Sequence, residues 1–233
     1  MITSDDHARD ACGVVGVYSH GHDVAKAAFD GLYSLQHRGQ ESAGIATSDG
    51  KRIRLRTAMG LVSQAFEEED LIRLPGYISV GHNRYSTSGS SNIRNAQPVI
   101  ARGTSVELAL AHNGNVVNSV EIRDELLSWG CELATTSDSE LVAHMLSCSP
   151  GESWQERIAY CMRKVQGAYS LVVITKSEML AIRDPMGVRP LCIGTLNGGW
   201  VAASETCALD NMGAEFVREV KPGEAVLMDS NGM

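Results

Sequence analysis

The sequence has no long hydrophobic run and a deficit of basic residues. The longest stretch without a charged residue lies between Arg189 and Glu205, and its fifteen residues include a proline and three glycines. A transmembrane helix needs about 20 apolar residues, so the sequence predicts no membrane span. Lysine and arginine (20) are outnumbered by aspartate and glutamate (28), which gives a net charge of −8. A nucleic-acid-binding domain normally carries a basic face, so the composition argues against nucleic acid and against anionic membranes as partners.

The cysteines are scattered, and no two of the six form a C-x-x-C pair. This spacing argues against a zinc ribbon, a thioredoxin-like site or an iron–sulfur cluster within the chain. We therefore expect no metal site and no cofactor in it. The first eleven residues, MITSDDHARDA, contain no apolar segment and do not form a secretory signal. Scattered thiols without a secretory signal indicate a cytoplasmic protein.

What the sequence does contain fits one globular domain of mixed structure. The chain has 233 residues, of which 43% are hydrophobic, enough for a sizeable core. Periodicity predicts a buried strand at Cys12–Tyr18, helices over 22–37 and 61–74, and a strand that ends at His112. A turn is expected at Asn113-Gly114-Asn115, and the last third is rich in predicted strands. The pattern indicates two sheets covered by helices, in the α+β or layered α/β class.

Cys12 is the first candidate for chemistry. It lies where the polar first eleven residues end abruptly and the apolar run CGVVGVY begins. A thiol is a nucleophile only as thiolate, and the sequence offers no histidine partner by motif. If Cys12 is the first residue of the mature chain, its own α-amino group titrates near neutrality and can act as the base. The alternative is a small buried residue in a strand.

Three further segments carry candidate binding groups. Arg84 opens a polar loop over 84–95, where its guanidinium suits either a substrate carboxylate or a structural salt bridge. The Asn113 amide beside the Gly114 N–H forms either a two-donor oxyanion hole or a simple Asn-Gly turn. Asp138, at the start of a predicted helix, either binds an ammonium group or acts as a helix cap.

Taken together, these segments resemble the N-terminal glutaminase domain of the amidophosphoribosyltransferase family. A Cys-Gly start followed by arginine, Asn-Gly and aspartate motifs is typical of class II glutamine amidotransferases in general. The QHRGQ and RDPMGVRP segments favour this family over its glucosamine-forming and asparagine-forming relatives. The matching segments are CGVVG (12–16), LQHRGQESAG (35–44), GHNRYST (81–87), AHNGN (111–115), TSDSE (136–140) and RDPMGVRPL (183–191).

The resemblance implies a fold and a set of roles. The fold would be α+β, a four-layer αββα sandwich of the N-terminal-nucleophile hydrolase type, formed by residues 12–233 after removal of 1–11 as a pro-segment. The reaction would be hydrolysis of glutamine to glutamate and ammonia through a γ-glutamyl thioester. The implied roles are nucleophile for Cys12, oxyanion hole for Asn113 and Gly114, α-carboxylate ligand for Arg84, α-ammonium ligand for Asp138, a polar substrate contact for Thr87 and a scaffold for the Cys12 end for Arg38.

The family also implies partners that this sequence does not contain. No phosphate loop of a phosphoribosyltransferase occurs in it, so that domain, its Mg²⁺ and its use of the ammonia are expected outside this chain. Some relatives hold an iron–sulfur cluster, most of whose ligands would follow the C-terminal residue here. We expect a homo-oligomer for the full-length protein. Two alternatives stay open: the glutaminase of another class II enzyme, such as glucosamine-6-phosphate or glutamate synthase, or an uncleaved, non-catalytic glutamine-binding module.

Overall fold

A computed structural model of the chain describes residues 12–85 and 92–233. The expected pro-segment, 1–11, and Thr87 lie outside the described residues. The strands, in chain order, are β1 (Gly13–Tyr18), β2 (Ser42–Ser48), β3 (Ile53–Met59), β4 (Ile78–Arg84), β5 (Val99–Arg102), β6 (Glu107–Val116), β7 (Gly167–Ile174), β8 (Met179–Arg183), β9 (Cys192–Leu196), β10 (Gly199–Ala203), β11 (Glu215–Glu219) and β12 (Ala225–Met228). The helices are α1 (Val24–Ser34), α2 (Val62–Ala65), α3 (Glu68–Ile72), α4 (Ser119–Ser128), α5 (Asp138–Cys148), α6 (Trp154–Lys164) and α7 (Thr206–Met212), with 3₁₀ turns at Gln36–Arg38 and Ile93–Asn95.

The strands form two sheets that pack face to face. The larger sheet has the order β11-β9-β10-β1-β4-β2-β3, and the smaller one β12-β8-β7-β6-β5. All pairings between the strands described are antiparallel. β1 lies in the middle of the larger sheet, between β10 and β4, so Cys12, which precedes it, lies at the end of a strand that is paired on both sides.

Three apolar clusters fill the spaces between four layers. One packs α1 and α7 against the larger sheet, one packs α4, α5 and α6 against the smaller sheet, and one lies between the sheets. Representative residues are Leu32, Leu209 and Val15 in the first, Leu126, Met145 and Leu171 in the second, and Val14, Val80, Ala111 and Val172 in the third. The expected four-layer αββα sandwich is confirmed.

Strand alternation decides which side chains enter the space between the sheets. Successive residues of a strand point to opposite faces. Val14 of β1, Val80 of β4 and Ala111 of β6 all lie in the cluster between the sheets. Residues an even number of positions away have the same phase. Cys12 lies two residues before Val14, His82 and Arg84 lie two and four residues after Val80, and Asn113 lies two residues after Ala111. Three of the predicted site residues therefore share the inter-sheet face.

Two sequence predictions of local structure are wrong. Asn113-Gly114-Asn115 does not turn the chain: β6 continues to Val116, because β7 supplies a ladder partner for each residue, including Tyr169 opposite Gly114. The helix expected over 61–74 is two short helices, α2 and α3, separated at Phe66, whose backbone is extended. The strands of the last third are present, with α7 and β11 in addition to those predicted. Among the described residues, every helix is too short or too polar to cross a bilayer.

Candidate functional site

A cavity of about 300 Å³ opens at the edge where the two sheets and the start of α5 meet. Four of the predicted site residues line it: Cys12, Arg84, Gly114 and Asp138. The rest of the lining is formed by Tyr85, Asn95, Gln97, His112, Asn115, Val116, Ser119 and the segment 136–139. The structure therefore brings residues from four distant parts of the sequence to one polar cavity. Asn113 is not among the lining residues.

The Cys12 thiol is held against the backbone of Tyr85, just after β4. Its Sγ lies 3.9 Å from the Tyr85 carbonyl oxygen, to which it donates, and accepts from the Tyr85 N–H at 3.5 Å. Burial raises the pKa of the Cys12 thiol, an effect that the Tyr85 hydrogen bond and the Arg84 charge oppose only in part. The thiol consequently keeps its proton near neutral pH and needs a base to become a nucleophile.

The glycine after Cys12 permits a close approach of Asn83. A Cβ at Gly13 would lie 2.1 Å from Asn83 Oδ1 and 2.9 Å from Leu35 Cβ. The Asn83 amide donates to the Leu35 carbonyl at 2.7 Å and so ties β4 to the end of α1. A side chain at position 13 would displace this contact, which explains in physical terms why the Cys-Gly pair suits the start of β1.

Arg38 fixes the backbone of Cys12, as the resemblance implies. Its Nε donates to the Cys12 carbonyl at 3.2 Å, and its Nη1 pairs with Glu205, just before α7. His37 hydrogen-bonds the other Glu205 oxygen at 3.2 Å. Burial raises the pKa of Glu205, but the hydrogen bond and charge of Arg38 outweigh this and lower it. Glu205 was not predicted from the sequence.

Arg84 makes the salt bridge that the sequence left open as an alternative. Its Nη1 lies 2.5 Å from Glu41 Oε1, and the two side chains are each only 10% exposed. The same guanidinium lines the cavity. A buried charge that loses its partner is strongly destabilising, so the ion pair with Glu41 holds the Arg84 side chain in position. The two alternatives are therefore compatible: the arginine is both a structural ion pair and a cation at the cavity wall.

The side chain of Asn113 is a fully buried amide. Neither its Nδ2 nor its Oδ1 has a hydrogen-bond partner in the part of the chain that the structure describes. A buried amide normally forms such bonds, and leaving one unpaired costs on the order of 1–3 kcal/mol. By strand alternation this amide faces the other sheet, on the side where Cys12 lies, whereas Gly114 contributes to the cavity wall directly.

Asp138 is the first residue of α5, but it is not the cap. The capping group is the Ser137 side chain, which accepts from the Ser139 N–H at 3.2 Å. The Asp138 carboxylate points back to β6, where Oδ2 accepts from the Val116 N–H at 3.1 Å. Its side chain is 25% exposed, at the cavity wall. The helix-cap alternative is therefore wrong for Asp138, and its carboxylate faces the space that a substrate would enter.

His112 is a cavity residue that sequence reasoning missed. Its Nδ1 lies 3.1 Å from Ser139 Oγ and 3.8 Å from Asp138 Oδ1. Burial lowers the pKa of the imidazole, although the Asp138 charge opposes this, so we expect a neutral ring at neutral pH. Gln97 accepts from the His112 N–H at 2.7 Å and donates to its carbonyl at 3.4 Å. The one available signal was that His112 directly precedes the Asn-Gly pair.

We expect Gly114→Ala to unfold the cavity wall. A Cβ at this position would lie 2.1 Å from the Ala168 carbonyl oxygen and 2.9 Å from His112 Nε2, both parts of the packed sheet. The variant should lose several degrees of Tm and most of its activity. Gly21→Ala is the matched control, because a Cβ there meets nothing within 4 Å. Equal melting temperatures for the two variants would contradict this account of the wall.

Comparison with known proteins gives three concordant results. Residues 82–211, more than half of the chain, match the family described as glutamine amidotransferase domain. A protein of Synechococcus elongatus named amidophosphoribosyltransferase is 49% identical over 98% of this chain and 48% of its own length. Amidophosphoribosyltransferase 2, chloroplastic, of Arabidopsis thaliana is 45% identical over 98% of this chain and 41% of its own length. The chain thus spans about half the length of the curated relatives it matches.

Solved structures agree with these relatives. One described as the allosteric regulatory enzyme of purine biosynthesis superposes with a TM-score of 0.89 at 39% identity, covering 95% of this chain and 48% of the other. Another, described as glutamine phosphoribosylpyrophosphate amidotransferase from B. subtilis with ADP and GMP, gives a TM-score of 0.87 at 38% identity with the same coverage. The four layers of the chain and its cysteine-lined cavity agree with these matches. The chain belongs to the glutamine amidotransferase domain family.

Proposed function

We propose that the chain hydrolyses glutamine to glutamate and ammonia on Cys12, as the ammonia-supplying half of an amidophosphoribosyltransferase in purine nucleotide synthesis. One observation carries this proposal. A single polar cavity holds a cysteine thiol together with a buried guanidinium, Arg84, and a carboxylate, Asp138. A free amino acid with a side-chain amide offers the complementary groups: a carboxylate, an ammonium and an electrophilic carbonyl carbon.

The proposed nucleophile requires a base, and we propose the chain's own α-amine for this role. The Cys12 pKa is raised by burial, and the nearby His112 is a buried imidazole already engaged with Ser139. If the peptide bond between Ala11 and Cys12 is cleaved, the freed α-amine is attached to the same residue as the thiol. Its pKa near neutrality suits proton transfer in both directions. The thiol could itself attack the Ala11 carbonyl and so start this cleavage.

The reaction then balances in two steps. The α-amine takes the thiol proton while Sγ attacks the amide carbon, the C–N bond breaks, and the nitrogen takes that proton and leaves as ammonia. Water next gives a proton to the amine and attacks the thioester; the S–C bond breaks, and Sγ regains the proton as glutamate leaves. The Asn113 amide and the Gly114 N–H are proposed to stabilise the oxyanion of each tetrahedral intermediate.

The proposed specificity rests on Arg84 and Asp138. Arg84 would bind the α-carboxylate, because a guanidinium fork matches two carboxylate oxygens and Glu41 already fixes its position. Asp138 would bind the α-ammonium, because its carboxylate lies at the cavity wall and is held by the Val116 N–H. Thr87, outside the described residues, is proposed to add a polar contact to the bound glutamine.

We expect Arg84→Lys to raise KM for glutamine by more than about tenfold while kcat changes less. Lysine keeps a positive charge for Glu41 but loses the planar fork that binds a carboxylate through two bonds. Steady-state kinetics and Tm are measured on one preparation. Glu41→Gln is the matched control for the ion pair alone. Because Glu41 also positions Arg84, a rise in KM in both variants fits the proposal, whereas an unchanged KM in Arg84→Lys would remove Arg84 from the substrate site.

Asp138→Asn should show the same pattern, because it removes a charge while nearly keeping the shape of the side chain. The loss of one partner of a desolvated charge pair costs on the order of 2–5 kcal/mol. KM for glutamine should therefore rise by at least about tenfold. An amide without an α-ammonium group should bind the variant and the original chain equally. Unchanged KM for glutamine would remove Asp138 from the site.

The activity itself is tested on the purified chain. Ammonia and glutamate should form in equal amounts from glutamine, and a glutamine analogue with a diazoketone in place of the amide should label one residue, Cys12. Intact mass and N-terminal sequencing should show chains that begin Cys-Gly-Val-Val. A chain that retains residues 1–11 and binds glutamine without hydrolysing it would be the non-catalytic module instead. Activity that requires glucosamine-forming or glutamate-forming partners would indicate another class II enzyme.

Further proposals concern the longer protein. We propose that a phosphoribosyltransferase domain receives the ammonia, that its Mg²⁺ and any iron–sulfur cluster are bound outside this chain, and that the full-length protein is a cytoplasmic homo-oligomer. The support is the match to amidophosphoribosyltransferases over about half of their length. Fusing or adding the matching second half of such a relative should make glutamine-dependent phosphoribosylamine formation appear, and its failure would reject this pairing.

A further inference from the structure

Two cysteines and a histidine meet far from the glutamine cavity. Cys131 follows α4, whereas His144 and Cys148 lie on α5, one helical turn apart and thus on the same face. The Sγ atoms of Cys131 and Cys148 are 3.2 Å apart, and both are free thiols. One ligand atom from each of the three residues lies within 4.8 Å of the other two.

We propose that Cys131, His144 and Cys148 bind one Zn²⁺ ion, with a water molecule as the fourth ligand. Thiolate and imidazole are the ligands that zinc prefers, whereas Mg²⁺ and Ca²⁺ prefer oxygen. Zinc–sulfur bonds of about 2.3 Å in a tetrahedral site place two sulfurs about 3.8 Å apart. The two sulfur atoms therefore need to move apart by roughly half an ångström. The ligand atoms now lie within 4.8 Å of one another, and the most distant pair needs to approach by up to about 1 Å.

The histidine has a ring nitrogen ready for a ligand. Its Nδ1 is buried and has no hydrogen-bond partner within residues 12–85 and 92–233. Burial lowers the pKa of the His144 imidazole, although the nearby Glu140 charge opposes this. A neutral ring offers the lone pair that a metal requires. An otherwise unsatisfied buried nitrogen gains a bond when the ion enters, which favours binding.

The Cys131 thiol is protonated before metal binds. Burial, together with the hydrogen bond and charge of Cys148, raises the pKa of the Cys131 thiol to about 12. A metal ion must displace this proton, so binding should release protons into the buffer. The proton released on binding is one readout that hydrophobic packing of the same three residues would not produce.

The segment that carries Cys131 is already folded back onto α5. Glu140, four residues before His144, accepts from the N–H groups of Ala134 and Thr135 at 2.7 and 2.8 Å, and from the Thr135 hydroxyl at 2.8 Å. The Cys131 N–H donates to the Leu126 carbonyl at 3.0 Å, which closes the end of α4. Both sides of Cys131 are thus anchored, and the thiol is presented to α5 with little freedom to lose on metal binding.

Space for a fourth ligand lies next to the cluster. A surface cavity of about 500 Å³ is lined by all three residues together with Arg102, Thr104 and Glu132. Water can therefore reach the open coordination position. Cys148 ends α5, and at 1.5 Å per residue it lies about 15 Å along the helix from Asp138. The ion would clip the segment after α4 to the far end of the helix that begins at the glutamine cavity, and so stabilise that helix.

The test is metal analysis of the purified chain under reducing conditions. After Zn²⁺ addition and desalting, one zinc per chain should remain, and Zn²⁺ should raise Tm. Co²⁺ should give the charge-transfer absorption of cobalt thiolate and the intense visible bands of a tetrahedral site. Cys148→Ser and His144→Ala should each lower the zinc affinity by at least about a hundredfold and remove the Tm increase.

Cys207→Ser is the matched control, because Cys207 is equally accessible and contacts Ser34 and Glu205 instead. It should keep one zinc per chain. Less than a tenth of a zinc per chain in the original protein, or equal losses in Cys207→Ser and Cys148→Ser, would overturn the proposal. A reduced chain that binds no zinc, and whose mass falls by two hydrogens in air, would also overturn it, because this result indicates a Cys131–Cys148 disulfide and not a metal site. If the variants fail to fold, the Co²⁺ spectrum of the original chain decides.

Discussion

Cys12→Ala should abolish glutamine hydrolysis, lowering kcat/KM by at least about 10⁴-fold, because the proposed covalent intermediate forms on its Sγ. The side chain is small and the sheet around it is complete, so Tm should change little. The same variant should also keep residues 1–11, because the thiol is proposed to attack the Ala11 carbonyl. Ammonia release and intact mass, measured on the same sample, report both effects.

A control variant distinguishes the loss of the nucleophile from a general effect of removing a cysteine. Cys207→Ala removes a partly buried thiol that does not line the cavity, and the variant should keep its activity and a Cys-Gly-Val-Val terminus. Cys12→Ser is informative as well, since a hydroxyl can start the acyl shift but is a far weaker nucleophile toward an amide. Full activity in chains that all begin at Met1 would refute the role proposed for the α-amine. Normal hydrolysis by Cys12→Ala would refute the proposed mechanism as a whole.

Asn113→Ala is expected to lower kcat by about 10²–10³-fold while KM for glutamine changes little, which is the cost of one lost oxyanion donor. The contact strengthens as negative charge develops, so it acts on the chemical step. Some rate should survive through the Gly114 N–H. Asn113→Asp should be at least as slow, because a carboxylate would repel the oxyanion.

Melting temperature distinguishes the oxyanion-hole role of Asn113 from a purely structural role. Truncation of a side chain whose Nδ2 and Oδ1 bond to no described residue breaks no hydrogen bond and removes a desolvated polar group. We therefore expect the Tm of Asn113→Ala to be unchanged or raised. A lowered Tm with a normal kcat for the folded fraction would instead show that Asn113 serves packing, and would remove it from the site. Asn83→Ala, which breaks the bond to Leu35, supplies the reference for a stability loss.

The layers and most elements could be predicted from the sequence because their signals are local. Apolar runs and helical periodicity located β1, α1 and the start of α5 within a few residues. The Asn113-Gly114 pair led to the wrong prediction of a turn. Asn-Gly favours turns, but glycine also suits a strand whose neighbouring strand lies very close, as the backbone of Ala168 does at Gly114. A turn propensity is a local property, whereas the β7 ladder that overrides it comes from more than fifty residues later.

The site residues likewise divide into those with a local sequence signal and those brought together only by the fold. Cys12, Arg84 and Asp138 were candidates because of their residue types and local sequence, the resemblance to a known family supplied their roles, and the fold places them at one cavity. Glu41, His112 and Glu205 were missed, because each acts through a partner distant in sequence. The Cys131, His144 and Cys148 cluster was also missed. Its separation of thirteen and four residues matches no zinc motif, and only the packing of α5 against the segment after α4 unites it.

The central position of β1 has a consequence for when the enzyme becomes active during synthesis. The strand pairs with β4 and with β10. Ser204 accepts from the Val14 N–H, Arg38 donates to the carbonyl of the preceding Cys12, and Glu205 pairs with Arg38. Ser204 is 190 residues further along the chain than Val14. A ribosome that has made only the first half has therefore not yet supplied the groups that shape the nucleophile's surroundings. The surroundings of the proposed nucleophile therefore form only after the last quarter of the domain has been made, and we expect shorter fragments to release no ammonia from glutamine.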